Sequence, residues 1–110
     1  MDTDKIRELN DEFRTNLFKR SENLLCLSQM VSALSISQQL QILDKVAKFN
    51  DFTEGNDPYG EHYFGKVSMD GQDYFFKIDY YDNGLKYGSP NPADPSCTKR
   101  VLTIMHVSEY

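Results

Sequence analysis

The chain has 110 residues, of which 39% are hydrophobic and 13% are aromatic. This apolar content excludes a disordered chain and predicts a single domain over residues 1–110, which buries roughly two thirds of the unfolded surface. The formal net charge of −5 excludes the basic surface of a typical nucleic-acid binder and favours a protein partner with a basic surface.

The sequence also bears on location. It contains no apolar run long enough to predict a membrane span, and Met1 is followed by charged residues instead of the apolar core of a signal peptide. Cys26 and Cys97 lack the close spacing of a metal-binding pair. We therefore expect a cytoplasmic protein with two reduced thiols, no membrane association and no cofactor.

The N-terminal segment predicts an amphipathic helix. From Thr3 to Leu17, apolar residues recur at helical spacing with charged residues between them, and Asp2 or Thr3 can cap the first turn. The apolar run from Leu24 to Leu27 is compatible with a strand or a buried helix. The loops predicted on both sides favour a short strand.

A second helix is predicted from Ser35 or Ser37 to about Phe49, since serine is a preferred N-cap residue. Its expected inward positions are Leu40, Leu43, and Val46 or Ala47.

The second half of the chain predicts a β-hairpin of defined register. Asp70 and Gly71 form a two-residue loop between two aromatic-rich runs, so that Met69 faces Gln72. In this register Gly65 faces Phe76 and leaves room for its ring. One face of the hairpin is then apolar and is expected to pack against the helices: Tyr63, Gly65, Val67, Tyr74, Phe76 and Ile78.

The opposite face of the predicted hairpin is polar. The register places His62 opposite Asp79, at a Cβ separation of about 5 Å, with Lys77 close enough to compete for the carboxylate. A carboxylate so placed orients an imidazole as a general acid or base. No nucleophile motif accompanies the pair, although Cys97 could approach it, so an ordinary solvent-facing charge pair is the simpler interpretation.

A metal site is a weaker interpretation of the same region. Four residues have suitable side chains for metal binding: Glu61, His62, Asp79 and His106. The sequence contains no closely spaced ligand pair such as His-x-x-x-His, so no metal is expected.

A long loop, Asn83 to Ser96, precedes the last predicted element. Asp94 and Pro95 predict a cap followed by one helical turn, and a strand is predicted from Arg100 to Val107. Helices early and strands late predict an α+β fold, an antiparallel sheet of three to four strands with two helices packed on one face. The protein is expected to be a monomer, or a homodimer formed through the edge of the last strand.

Several motifs in the second half occur in order: NDPYGEH at 56–62, KIDYYD at 77–82 followed by LKYGS, and NPADP before RVLTIM. From about Asn56 to the end, they resemble a bacterial family, domain-of-unknown-function family 3768. The chain departs from the family pattern at Tyr63, Phe76 and His106, where Asp, Trp and an apolar residue are expected. The absence of a carboxylate at Tyr63 weakens an acid–base or metal role there.

The resemblance implies a small stand-alone protein, in some members encoded on mobile elements. With the acidic charge, it suggests a non-catalytic protein-binding module that inhibits a bacterial defence complex, as an anti-CRISPR protein would. The predicted binding residues are Glu61, His62, Lys77, Asp79, Tyr80, Tyr81, Asp82, Tyr87 and Arg100. Exposed tyrosines are typical of protein interfaces, but these rings could equally cover the end of the sheet.

The alternative hypothesis is a small hydrolase or transferase. It would use the His62–Asp79 pair, with Lys77 or Arg100 binding an anion.

Overall fold

The computed structural model describes residues 2–110 and shows an α+β fold. The helices are α1 (Thr3–Arg14), α2 (Gln29–Ser32) and α3 (Ile36–Lys48). The strands are β1 (Leu24–Leu27), β2 (Phe64–Met69), β3 (Gln72–Tyr81) and β4 (Lys99–His106). Short 3-10 turns lie at Pro95–Cys97 and Val107–Glu109. No helix in the described part of the chain is long and apolar enough to cross a membrane.

The four strands form one sheet in the order β1-β4-β3-β2. The β2–β3 and β3–β4 pairs are antiparallel, whereas β1 runs parallel to β4, with Leu24 opposite Val101. The predicted α+β class and strand number are confirmed, and the sheet is mixed because β1 reaches β4 through a long crossover that contains α2, α3 and the hairpin. The prediction that the last strand offers a free edge for a homodimer is wrong, since β4 is an inner strand of the sheet.

The hairpin register is as predicted from Met69–Gln72 to Phe64–Lys77. Asp70 and Gly71 have φ values of +52° and +75°, as a two-residue turn of type I′ requires. Beyond the ladder, Tyr63 O still accepts a hydrogen bond from Ile78 N at 2.8 Å. His62 has a φ of +57°, so the chain leaves the strand direction at this residue.

The first helix ends at Arg14, earlier than the predicted Leu17, and Asp2 caps its start by accepting a hydrogen bond from Lys5 N. The short helix α2 was not predicted. Its N-cap is Ser28, and it places the side chain of Val31 in the core.

The second predicted helix is α3, which begins with a capping box between Ser35 and Gln38. Its buried residues are Ile42, Leu43 and Val46. The predicted inward position of Leu40 is wrong, because its side chain is 48% exposed. Leu40 lies about 200° around the helix from Ile42, and therefore faces solvent when Ile42 faces the core.

The helices cover one face of the sheet. The predicted apolar face of the hairpin is confirmed there: Gly65, Val67, Tyr74, Phe76 and Ile78 are buried, and Tyr63 is partly buried. Leu102 and Ile104 of β4 complete this face, and Phe13, Val31, Ile42 and Val46 pack on it from the helices. The helices do not cover the opposite face, where partly exposed side chains lie, including Phe64, Phe75, Lys77, Asp79 and Tyr81.

We expect Gly65→Ala to destabilise the fold. A Cβ atom at this position would lie 2.6 Å from Cζ of Phe76 and 2.8 Å from Cε1 of Phe49, so the rings would have to move. Overpacking of this kind costs about 1–3 kcal/mol, measurable as a lower midpoint in urea denaturation. The matched control is Gly84→Ala, whose Cβ would meet only Asp82 Oδ1 at 3.8 Å. Equal effects of the two substitutions would contradict the close Gly65–Phe76 packing.

Candidate functional site

The loop between α3 and β2 lies against α1. Arg7 Nη1 donates a hydrogen bond to Gly60 O at 3.0 Å, and Asn10 Nδ2 donates one to Glu61 O at 3.0 Å. These bonds satisfy backbone carbonyls that the irregular loop cannot pair internally. They also place the side chains of Glu61 and His62 next to α1, away from the open face of the sheet.

His62 is bound between two carboxylates. Its Nδ1 lies 2.9 Å from Asp11 Oδ1 and 3.1 Å from Asp11 Oδ2, and its Nε2 lies 3.7 Å from Asp57 Oδ2. Asp57 also accepts a hydrogen bond from His62 N at 3.1 Å. The imidazole stacks on Phe52, with ring centroids 3.8 Å apart and planes 4° apart. Both ring nitrogens of His62 therefore face groups of the protein itself.

The predicted His62–Asp79 pair is wrong. The β2–β3 ladder ends at Phe64, and His62 has a positive φ, so that the chain turns towards α1. There the imidazole bonds to Asp11. Asp79 instead pairs with Lys77 at 3.2 Å on the open face. Lys77 therefore lies as close to this carboxylate as predicted, but His62 does not compete with it for Asp79.

Arg100 is a buried cation in a second polar network. Its side chain donates from Nε to Asn10 Oδ1 at 2.7 Å and from Nη2 to Pro92 O at 2.5 Å. Its guanidinium lies over the ring of Tyr80, 5.2 Å from the centroid. The Tyr80 hydroxyl donates to Glu61 Oε1 at 2.7 Å and accepts from Asn10 Nδ2 at 2.7 Å. The Asn10 amide thus bonds to β3, β4 and the loop before β2.

The protein environment shifts the pKa values of two groups in this network. Burial, together with the hydrogen bond to Glu61, raises the pKa of the Tyr80 phenol well above its ordinary value. Burial also lowers the pKa of Arg100. The phenol of Tyr80 is therefore a protonated donor to Glu61 at neutral pH.

Arg14 caps the C-terminal end of α3 with its guanidinium. The sequence analysis did not identify this residue. Its Nη1 donates to Val46 O at 2.9 Å and to Phe49 O at 2.9 Å, and its Nη2 bonds to Asp11 Oδ1 at 3.1 Å. The last carbonyls of a helix have no partner within the helix, and the guanidinium supplies donors to them.

One signal in the sequence could have identified these buried polar residues. Asn10 and Arg14 share a helical stripe with Ile6 and Phe13, and all four side chains are buried. Polar residues in the apolar stripe of a helix indicate internal partners.

The structure separates the predicted binding residues into three groups. Glu61, His62, Tyr80 and Arg100 bond to one another or to α1, in the two networks described above. Lys77, Asp79 and Tyr81 lie on the open face of the sheet. Asp82 and Tyr87 belong to the loop after β3, where Asp82 Oδ1 accepts hydrogen bonds from Lys86 N and Tyr87 N.

The candidate metal ligands are not brought together. Glu61 bonds to Tyr80, Asp79 to Lys77, and His106 Nε2 to Gln72 Oε1 at 2.7 Å. Within residues 2–110 no group of three or more His, Cys, Asp or Glu side chains is arranged to bind a metal ion.

Cys97 does not reach His62. Its Sγ contacts Asn91 O at 3.7 Å and Asp94 O at 3.6 Å, within its own loop. The His–carboxylate arrangement can orient an imidazole, but these contacts place no nucleophile beside it.

We expect Tyr80→Phe to destabilise the protein by about 1–2 kcal/mol, because Glu61 and Asn10 lose a hydrogen-bond partner in a partly buried site. Urea denaturation measures the change, with Tyr87→Phe as the control, since Tyr87 is 73% exposed. Because the folded state retains the phenol proton above the ordinary pKa of 10.0, the stability difference should be complete below that pH and shrink as pH rises above it. A difference that grows with alkaline pH would contradict this network.

A double-mutant cycle tests the partner of His62. We expect His62→Gln and Asp11→Asn to show a coupling energy of about 0.5–1 kcal/mol, since the two side chains are partly exposed and in direct contact. The same cycle with Asp79→Asn is the control and should give no coupling. Coupling of His62 to Asp79 instead of Asp11 would contradict the observed geometry.

Comparison with known proteins yields one family. No curated protein and no solved structure matches the chain. A family model described as "Protein of unknown function (DUF3768)" matches residues 27–109, which extends the resemblance from the second half into β1, α2 and α3. The α1 residues Asn10, Asp11 and Arg14 lie before the matched stretch. Since the match covers more than half of the chain, the protein belongs to the DUF3768 family.

Proposed function

We propose that this protein is a non-catalytic protein-binding module that docks through the open face of its sheet onto a partner with a basic surface. The observation that carries the proposal is a cluster of aromatic rings on the face that the helices leave uncovered. The ring centroids of Phe64 and Phe75 are 5.0 Å apart, and Tyr110 lies 6.0 Å from the first and 5.3 Å from the second. Tyr110 is 77% exposed.

Aromatic side chains in this setting favour a protein interface. They bring a large contact area with few rotatable bonds, and tyrosine adds a hydrogen-bonding tip. A shallow depression of about 490 Å³ adjoins the cluster and is lined in part by Tyr63, Lys77 and Asp79. The Lys77–Asp79 pair gives this apolar patch a polar rim, the arrangement in which interface residues contribute most to binding.

Charge supports a basic partner. The chain carries a net charge of −5, and two of its cations, Arg14 and Arg100, are buried and bonded internally. The exposed surface is thus more acidic than the composition alone suggests. Opposite net charges accelerate association and disfavour wrong partners.

We propose a bacterial defence complex as the partner. A nuclease of such a complex needs a positively charged channel for nucleic acid, and an acidic, aromatic-bearing domain of this size has the chemistry to occupy it. Both cysteines are unpaired, which supports a location in the reducing cytoplasm, where such a partner would be met.

The internal role of His62 favours binding over catalysis. Its two ring nitrogens face Asp11 and Asp57, and its ring is stacked on Phe52. An imidazole in this position links a loop to α1, which is a structural task. Binding therefore remains the function that the exposed groups support best.

We expect Phe64→Ser and Tyr110→Ser to weaken partner binding at least about tenfold, the range of moderate interface residues. Affinity capture from bacterial lysate and from purified CRISPR effector complexes would identify the partner. The dissociation constant of each variant, and its dependence on ionic strength, would then be measured. The matched control is Phe18→Ser, an aromatic residue that is 69% exposed outside this face, which should leave affinity unchanged.

Three results would contradict the proposal. Unchanged affinity of the Phe64 and Tyr110 variants would exclude the open face, and affinity that does not fall with ionic strength would exclude a basic partner. Self-association through this face, seen as a concentration-dependent mass in light scattering, would show that a second copy is the occupant.

A further inference from the structure

A second surface feature lies away from the open face of the sheet. A cleft of about 300 Å³ is formed by the second half of α1, the segment 19–23 and the chain around the start of β4. Its lining residues include the apolar Leu9, Phe13 and Pro95 and the charged Arg100. A volume of this order is at the lower end of those that bind small molecules.

Arg100 has unused hydrogen-bonding capacity in this cleft. Its Nε and Nη2 bond to Asn10 and Pro92, but its Nη1 has no partner among residues 2–110. Although the residue as a whole is only 2% exposed, Nη1 is not fully enclosed by protein atoms. Because Arg100 lines the cleft, we infer that the free Nη1 donor is reached from there.

The guanidinium of Arg100 forms no direct ion pair among residues 2–110, and Glu61 stabilises its charge from beyond ion-pair distance. No carboxylate within the described chain lies within ion-pair distance of it, in contrast to Arg14, which pairs with Asp11. A buried cation without a paired anion is costly, and an arginine fork matches the geometry of a carboxylate or a phosphate. An anion bound in the cleft would therefore offset an existing cost.

Two more cations lie at the rim. Lys19 and Arg20 line the cleft, are exposed, and form no ion pair with any residue in the range 2–110. Glu12 is the one carboxylate in the lining. Three positive groups against one negative group favour a ligand with more than one negative charge.

We propose that this cleft binds a small organic phosphate. The phosphoryl group would accept a hydrogen bond from Arg100 Nη1 and lie near Lys19 and Arg20, while the organic part would contact Leu9 and Phe13. The dianionic charge of a phosphate monoester suits three cations better than a carboxylate does, and the cleft is larger than a phosphate ion alone requires. The residues involved are separate from Phe64, Phe75 and Tyr110, so this site can be tested independently of the proposed docking face.

Isothermal titration calorimetry of the full chain with phenyl phosphate tests the proposal. Phenyl phosphate should bind, benzoate should bind more weakly, and phenol should show no measurable binding, because the phosphoryl charge supplies the recognition. The double variant Lys19→Gln with Arg20→Gln should weaken phenyl phosphate binding about tenfold. Both residues are exposed, so this variant is expected to fold normally.

The control is Lys45→Gln with Lys86→Gln, which removes two exposed lysines outside the cleft and should leave affinity unchanged. Arg100→Gln should abolish binding, and circular dichroism would establish whether this variant is folded. Chemical shift changes on phenyl phosphate addition should concentrate at the backbone amides of 19–23 and 98–100.

Each contrary result would overturn the proposal. Absence of phenyl phosphate binding at millimolar concentration would do so, as would equal losses in the rim and control variants, which would indicate non-specific charge attraction. Benzoate binding as tightly as phenyl phosphate would exclude the phosphate assignment. Shift changes confined to residues outside the cleft would place the site elsewhere.

Discussion

The buried carboxamide of Asn10 is the contact on which the arrangement of the molecule depends. Its oxygen accepts from Arg100 of β4, and its nitrogen donates to Tyr80 of β3 and to the carbonyl of Glu61. One side chain of α1 thereby satisfies polar groups from two strands and a loop. In a low-dielectric interior each of these groups would cost free energy if left unpaired, and bonds in such a network reinforce one another. The position of α1 therefore decides whether the polar groups at this end of the sheet are compatible with burial.

Two further side chains of α1 also bond to polar groups of other elements. Asp11 bonds to His62, and Arg14 donates to the final carbonyls of α3. These contacts and those of Asn10 together explain why three residues that resemble catalytic groups in the sequence have internal partners: His62 bonds to Asp11, Arg100 to Asn10, and the partly buried Tyr80 to Asn10 and Glu61. The groups that remain available for binding are an aromatic cluster and one free arginine donor. The aromatic cluster of Phe64, Phe75 and Tyr110 is at least partly exposed because the helices cover only one face of the sheet. Arg100 retains a free donor, Nη1, at the cleft beside α1.

Local features of the chain were predictable to the residue in several places. The Asp70–Gly71 turn specified the hairpin register, β1 began and ended where its apolar run does, and Ser35 capped α3. In each case the deciding physics acts over a few neighbouring residues. Leu40 was wrongly predicted to face inward because α3 has apolar residues on more than one side. In such a helix the sequence alone does not specify which side is buried, and the neighbouring elements of the fold select it.

The sequence by itself determined the α+β class, the hairpin register and the apolar face of the hairpin, because turn geometry and side-chain alternation are local properties. Only the tertiary structure decided which carboxylate His62 meets and whether Arg100 is exposed. The contact of His62 with Asp11 joins residues 51 positions apart, and that of Arg100 with Asn10 joins residues 90 positions apart. Contacts at such separations depend on how α1 packs onto the completed sheet, and the β2–β3 register carries no information about that packing.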